Sequence, residues 1–285
     1  MFFGNISQTW ELMGQSWDVL KKDKELLVFP LVSGICCLLV IASFAIPVIM
    51  TDSWMPPTAE QEGQAVSAAD QVAYYAKLFA FYFCNYFVII FFNSAIAGCA
   101  AMRMRGQDPT VGDGFSIAFS RIHAIFGWAI VSATVGLILR IIEDKNEKIG
   151  AFVASLLGTA WTLVSFLVLP ILVIENVGPF AALKKSTALF KRTWGAQIGA
   201  NFSFGLIFFL LMLPAVGIVV LGFLSQSGIV IGICIAVAVI YCIVLSLIQS
   251  TLGVIFQTAL YYFADTGAAP AGFDTRSLNS AVRQK

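Results

Sequence analysis

Charge is scarce in this chain. Asp, Glu, Lys and Arg together make up 12% of its 285 residues, about half the share of a soluble domain. Histidine is scarcer still, because His123 is the only one. It has no Cys, Asp or Glu at ligand spacing, so it reads as structural and no metal site is expected. HExxH, GxSxG, a P-loop and a strand-borne GxGxxG are all missing. No pair of Asp residues lies inside the apolar runs, which removes intramembrane aspartyl chemistry. The six cysteines, Cys36, Cys37, Cys84, Cys99, Cys234 and Cys242, sit in apolar runs and form no CxxC pair. They read as small buried hydrophobes, neither bridged nor metal-binding. No basic cluster is dense enough for nucleic acid. These absences predict a non-enzyme without cofactor, metal or nucleic-acid partner.

What is present is apolar length. Hydrophobic residues make up 59% of the chain, in several runs beyond the about 18 residues that read as a membrane span. Alternating segments of about 10 residues, the mark of a transmembrane barrel, do not occur. The chain therefore reads as all-α and polytopic, with six spans: 25–50, 71–102, 125–142, 149–174, 196–223 and 228–264. The last run is too long for one crossing at about 1.5 Å per residue. It must project beyond the bilayer or break near Gly253, and projection is favoured because the second span is overlong too. Pro170 is expected to bend the fourth span and Pro214 lies inside the fifth. Trp161 sits mid-span, away from the interface that Trp prefers.

Three amphipathic segments punctuate the spans. In 1–24, Trp10, Met13, Trp17 and Leu20 line one face; the length before the first apolar run argues against a cleavable signal. Around 103–126, Phe115, Phe119, Ile122 and Phe126 share a side. In 175–195, Phe180, Leu183, Phe190 and Trp194 form one stripe, and Lys184, Lys185, Lys191 and Arg192 face the other way. Basic faces of this kind suit anionic headgroups, so the partners expected are membrane lipids; protein partners and oligomeric state are left open. Thirteen of the 17 Lys and Arg fall in these three segments and the tail. By the positive-inside rule both termini are then cytoplasmic. The arrangement predicts three pseudo-repeats, about 4–106, 107–177 and 178–267, each led by a cytoplasmic interfacial helix. Together they make one transmembrane domain, 1–267, followed by a mobile cytoplasmic tail, 268–285.

The segments SWDVLKKDKELLVFPLVSG (16–34), TVGLILRIIED (134–144), the stretch from Ala160 to Gly195 and FQTALYYFADTG (256–267) resemble an uncharacterised bacterial family of six-span membrane proteins. The Glu-x-x-Gly-Pro then Lys-Lys-Ser pattern at 175–186 is more distantly similar to the membrane domain of glycerophosphodiester phosphodiesterases. No soluble phosphodiesterase domain is present, so that activity does not carry over. The resemblance implies an integral protein of the bacterial inner membrane and supplies no function.

Polar groups within the spans are the remaining candidates, since burial in lipid is costly without partners. Asn85 and Asn93, and likewise Gln249 and Gln257, are eight residues apart and share a side of their helices. Facing amides can bond across helices. Asn93, Asn201 and Gln249 are the candidate polar site within the bilayer. Glu175 joins them at the interface, where it can cap the helix after Gly178 or pair with Lys184 or Lys185. Arg140 with Glu143 and Asp144 reads as an anchor. The favoured function is that of a membrane-organising or assembly protein with headgroup contacts. The alternative is a transporter or carrier of lipid or small solute, signalled by a polar cavity lined by Asn93, Asn201 and Gln249.

Overall fold

The structure, a computed structural model, describes residues 2–51, 67–145, 149–275 and 278, with side chains for 10–47, 67–144, 149–190, 205–275 and 278. Every described element is helical: α1 (Phe2–Lys22), a 3-10 turn (Lys24–Leu27), α2 (Val28–Thr51), α3 (Ala68–Met104), α4 (Val111–Ser120), α5 (Ile122–Lys145), α6 (Ile149–Ser165), α7 (Val168–Glu175), α8 (Pro179–Leu224) and α9 (Gly228–Thr266). Six stretches are long and apolar enough to cross a membrane: Lys24–Pro47, Ala68–Met104, Ile122–Asp144, Ile149–Glu175, Gly205–Leu224 and Gly228–Thr266.

Local chemistry sets the boundaries. Ser67 caps α3 by accepting from the Ala69 amide. Thr110 and Asp113 form a reciprocal capping box at α4, which satisfies two donors the first turn would otherwise leave free. Pro179 opens α8 where its missing N–H costs nothing. Gly267 ends α9 in the left-handed region, at φ 75°.

The two interior prolines behave differently. At Pro170 the fourth span does more than bend: it breaks into α6 and α7. The proline cannot donate to the Phe166 carbonyl four residues back, and Gln257 of α9 donates to that carbonyl instead. Ser186 of α8 donates to the Val164 carbonyl at 2.6 Å and accepts from the Leu167 amide at 3.2 Å. Every one of these groups belongs to the break, and each finds a partner on another helix. At Pro214 the helix runs on, and Tyr241 donates to the Leu211 carbonyl in the loosened turn at 2.7 Å. The separate amphipathic helix expected at 175–195 is therefore the first part of a 46-residue α8. The last apolar run is likewise one helix of 39 residues, unbroken at Gly253.

Packing is concentrated at the end that holds α1, α4 and residues 271–275. Leu12, Val19 and Leu20 of α1, the last third of α3, α7, the start of α8 and the second half of α9 share one core. Gly98 and Gly114 let α3 and α4 meet there: a Cβ on Gly114 would lie 2.9 Å from Cys99 Sγ, and one on Gly98 would lie 2.7 Å from Ile117. Away from this end α8 and α9 stay together, with Gly222 close against Cys234, while Leu38, Leu221 and Ile229 are exposed. That is the distribution of a chain whose solvent is lipid over half its length.

Two amphipathic faces are rotated from those expected. In α1 the buried stripe is Leu12, Ser16, Val19 and Leu20, while Trp10 and Trp17 are exposed. At the start of α8 the buried stripe is Ala182, Ser186 and Leu189, and Phe180 is exposed. Both helices dock on the bundle through small and aliphatic residues, which leaves aromatic rings outside. The tail expected to be mobile from residue 268 is docked over its first stretch. The Ala271 amide donates to the Met104 carbonyl, the Asp274 amide donates to Gln15, and Phe273 and Leu278 are buried. The large apolar side chains of Phe273 and Leu278, with Ala269 packed against the core, supply the reason.

Candidate functional site

Four helices enclose two adjoining cavities. The first, about 870 Å³, lies between α2, α3, α8 and α9; Pro30, Gly34, Ile89, Val219, Val239 and Leu247 give it apolar walls. The second, about 440 Å³, is reached past Asn93, Ser246 and Ser250, which line both. Its own lining adds Gln249, Gln257, Gly205, Gly253 and Phe166 at the α6/α7 break. On α9 the residues Ser246, Ser250, Gly253 and Gln257 follow one another at intervals of three and four, so they form a single polar and small stripe. Nothing lies within 4 Å of a Cβ built on Gly205 or Gly253; these glycines give open space rather than close packing.

The structure thus brings Asn93 and Gln249 to one cavity. The Asn201 side chain lies outside the described residues. The amides do not pair with one another: Asn85 donates to its own helix at Phe81, 2.9 Å away, and Gln257 serves the Phe166 carbonyl. Ser246 and Ser250 are cavity residues that inspection of amides alone overlooks; their register with Gln257 on α9 is the signal that marks them.

A second cluster joins α7, α8 and α9 near the packed end. Lys185 Nζ lies 2.6 Å from Glu175 and 2.6 Å from Asp265. Tyr261 donates its hydroxyl to Glu175, and the Lys185 ammonium stands 5.7 Å from the centre of the Tyr261 ring. Burial depresses the Lys185 pKa, but hydrogen bonds to Asp265 and Glu175 outweigh it and hold the pKa above the ordinary lysine value. Glu175 pairs and does not cap, since α8 starts at Gly178 without a side-chain cap. Lys184 is exposed on α8; the side chains of Lys191 and Arg192 lie outside the described residues. A third cluster holds the α1–α2 elbow. Asp23, 1% exposed, accepts from Arg103, with the Nε bond at 2.6 Å, and Arg103 also pairs with Asp108.

Arg140 bridges Glu143 at 3.1 Å and Asp144 at 3.2 Å at the far end of α5. Trp161 stacks on Trp128, ring centres 5.5 Å apart, which explains a Trp at mid-span. Among the described residues no group of three His, Cys, Asp or Glu is placed to hold a metal ion.

The family of unknown function DUF6159 matches residues 72–273. The chain belongs to this family. The matched region takes in α3 to α9, and so both clusters on α9 and three of the four cavity walls. It accords with the resemblance to an uncharacterised family and lends no support to that to phosphodiesterase membrane domains. No curated protein matches the chain.

Proposed function

We propose that this chain is a non-enzymatic protein of the bacterial inner membrane that takes up an amphiphile from the bilayer, a carrier rather than a purely organising role. The observation that carries the reading is the pair of adjoining cavities, one apolar and one lined by Asn93, Ser246, Gln249 and Ser250. Concave sites of about 300–1,000 Å³, mostly apolar with a few polar groups, are what small ligands occupy. Val216, Val220 and Val239 line the first cavity and are also exposed, so it opens sideways along α8 and α9, where acyl chains would enter. The polar cavity adjoins the packed, basic end, at the depth of the headgroups if both termini are cytoplasmic.

The order of elements supports three pseudo-repeats, α1–α2–α3, α4–α5–α6/α7 and α8–α9, with the leading helix of the third fused to its span. A membrane-organising role is the second reading. Exposed Trp10 and Trp17, with exposed Lys21 and Lys22, favour it, because such a face suits a headgroup layer.

Native mass spectrometry of the purified protein tests the choice. Gly253→Leu, which fills the polar cavity, is expected to lower co-purified lipid about tenfold, equivalent to ~1.4 kcal/mol. The combined change of Lys184, Lys185, Lys191 and Arg192 to Gln is expected to leave most of it. The reverse pattern would establish headgroup organisation and overturn the carrier.

A further inference from the structure

We infer that the cavity selects an amphiphile with an uncharged, hydroxylated head, of the diacylglycerol kind, over one with a phosphate head. The inference rests on the cavity reading above and adds its selectivity.

Among the described lining residues of both cavities there is no Lys, Arg, His, Asp or Glu. The sequence extends that statement to the walls as wholes: residues 26–51, 78–102, 149–174 and 193–264 carry no charged side chain. What the site offers is neutral. Asn93 and Gln249 bring amide donors and acceptors, and Ser246 and Ser250 bring hydroxyls that both donate and accept. Gln257 spends one amide hydrogen on the Phe166 carbonyl and keeps its remaining capacity. Such a set matches a glycerol hydroxyl and ester carbonyls, each of which needs a partner once out of water.

A phosphate head brings at least one negative charge, and burial of an unpaired charge costs far more than burial of a neutral polar group. Three cations near the packed end are committed elsewhere. Lys185 is held between Glu175 and Asp265, Arg103 between Asp23 and Asp108, and Arg121 donates to the Val173 carbonyl at 3.1 Å. Release of any of them to meet a phosphate would strand a carboxylate or a carbonyl. The apolar cavity has room for acyl chain, and most of its lining is Val, Ile, Leu, Ala, Pro, Gly and Cys.

The test uses the full-length protein in phosphatidylcholine nanodiscs with two photoactivatable probes, a diacylglycerol and a phosphatidic acid that carry the same diazirine acyl chain. Crosslinked peptides are read by mass spectrometry and normalised to labelling on the outer face of α5. The diacylglycerol is expected to label α2 around residues 30–37 and α9 around 242–250 several-fold more than the phosphatidic acid. Ser246→Leu with Ser250→Leu, and separately Gln249→Leu, should bring it down to the phosphatidic acid level while α5 labelling stays unchanged. Equal or stronger cavity labelling by phosphatidic acid in the unmodified protein would overturn the neutral-head selectivity and leave the cavity as a lipid site. A cavity silent to both probes would overturn the carrier reading itself.

Discussion

Lys185 shows how a single charge can be kept at a membrane protein's edge. It lies between two carboxylates, each 2.6 Å away, and is only partly accessible, so its pairs exceed the near-zero value of fully exposed ones. Lys185→Met leaves Glu175 and Asp265 close together without a cation, at an expected cost of about 1 kcal/mol. The pH dependence has a definite sign. A lysine whose folded pKa is raised contributes stability that is fully present below the ordinary lysine pKa, and loses it as pH rises through the raised value. Thermal midpoints in detergent should therefore fall on the alkaline side more steeply for the native chain than for Lys185→Met. Parallel curves would remove Lys185 from the account. Glu175 is legible in sequence, because it stands between an apolar run and a basic segment. Its partner Tyr261 is not, because it lies 86 residues away and nothing local points to it.

At the scale of the helix, Pro170 and Pro214 carry the same chemistry and give opposite outcomes. Sequence foretells a disturbance at each, since both remove a donor and crowd the preceding turn. Whether a helix breaks depends on what neighbouring helices supply, and only the assembled bundle decides that. At Pro170, Ser186 and Gln257 take over three backbone groups. Ser186→Ala leaves the Val164 carbonyl and the Leu167 amide without that partner in a buried place, an expected cost of about 1–3 kcal/mol. The compensation is more telling than the loss. Pro170→Ala restores a donor for the Phe166 carbonyl, so it should offset much of the damage of Gln257→Leu. A double-mutant cycle on thermal stability should show coupling of about 1 kcal/mol; additive changes would mean that Gln257 does not serve the break. The polar stripe on α9 was half legible in the same sense. The eight-residue interval of Gln249 and Gln257 marks a face, but that this face meets a cavity rather than another amide follows from the open space at Gly205 and Gly253 beside the α6/α7 break.

Six spans follow from composition, because runs of this length have few other fates, and the far ends of α2, α8 and α9 expose the apolar surface that such runs imply. The placement of interfacial segments was less legible. Amphipathic stripes in α1 and α8 are present, yet each buries a different strip from the one its aromatic residues suggest. Ridges of small residues, such as Ala182 and Ser186, allow closer approach to the bundle than Phe or Trp. The tail escapes composition too, since Phe273 and Leu278 are too few to register as a core segment yet dock on it. These contacts bind the sidedness of the molecule together. The tail touches α1 through Gln15 and the end of α3 through Met104, so residues 271–275, α4 and the start of α8 lie at one end, and the Ser225–Ser227 turn between α8 and α9 lies at the other. The excess of Lys and Arg at the first end is the ground on which we propose that it faces the cytoplasm. In a Cys-less variant, Thr187→Cys and Thr275→Cys should then react with an impermeant maleimide only in inverted vesicles, and Ser225→Cys only in right-side-out ones. The mirror-image result would reverse the orientation and keep the fold. Reaction of positions 187 and 225 from one side would mean that α8, a single continuous helix of 46 residues, does not cross the bilayer, and would overturn the six-span arrangement.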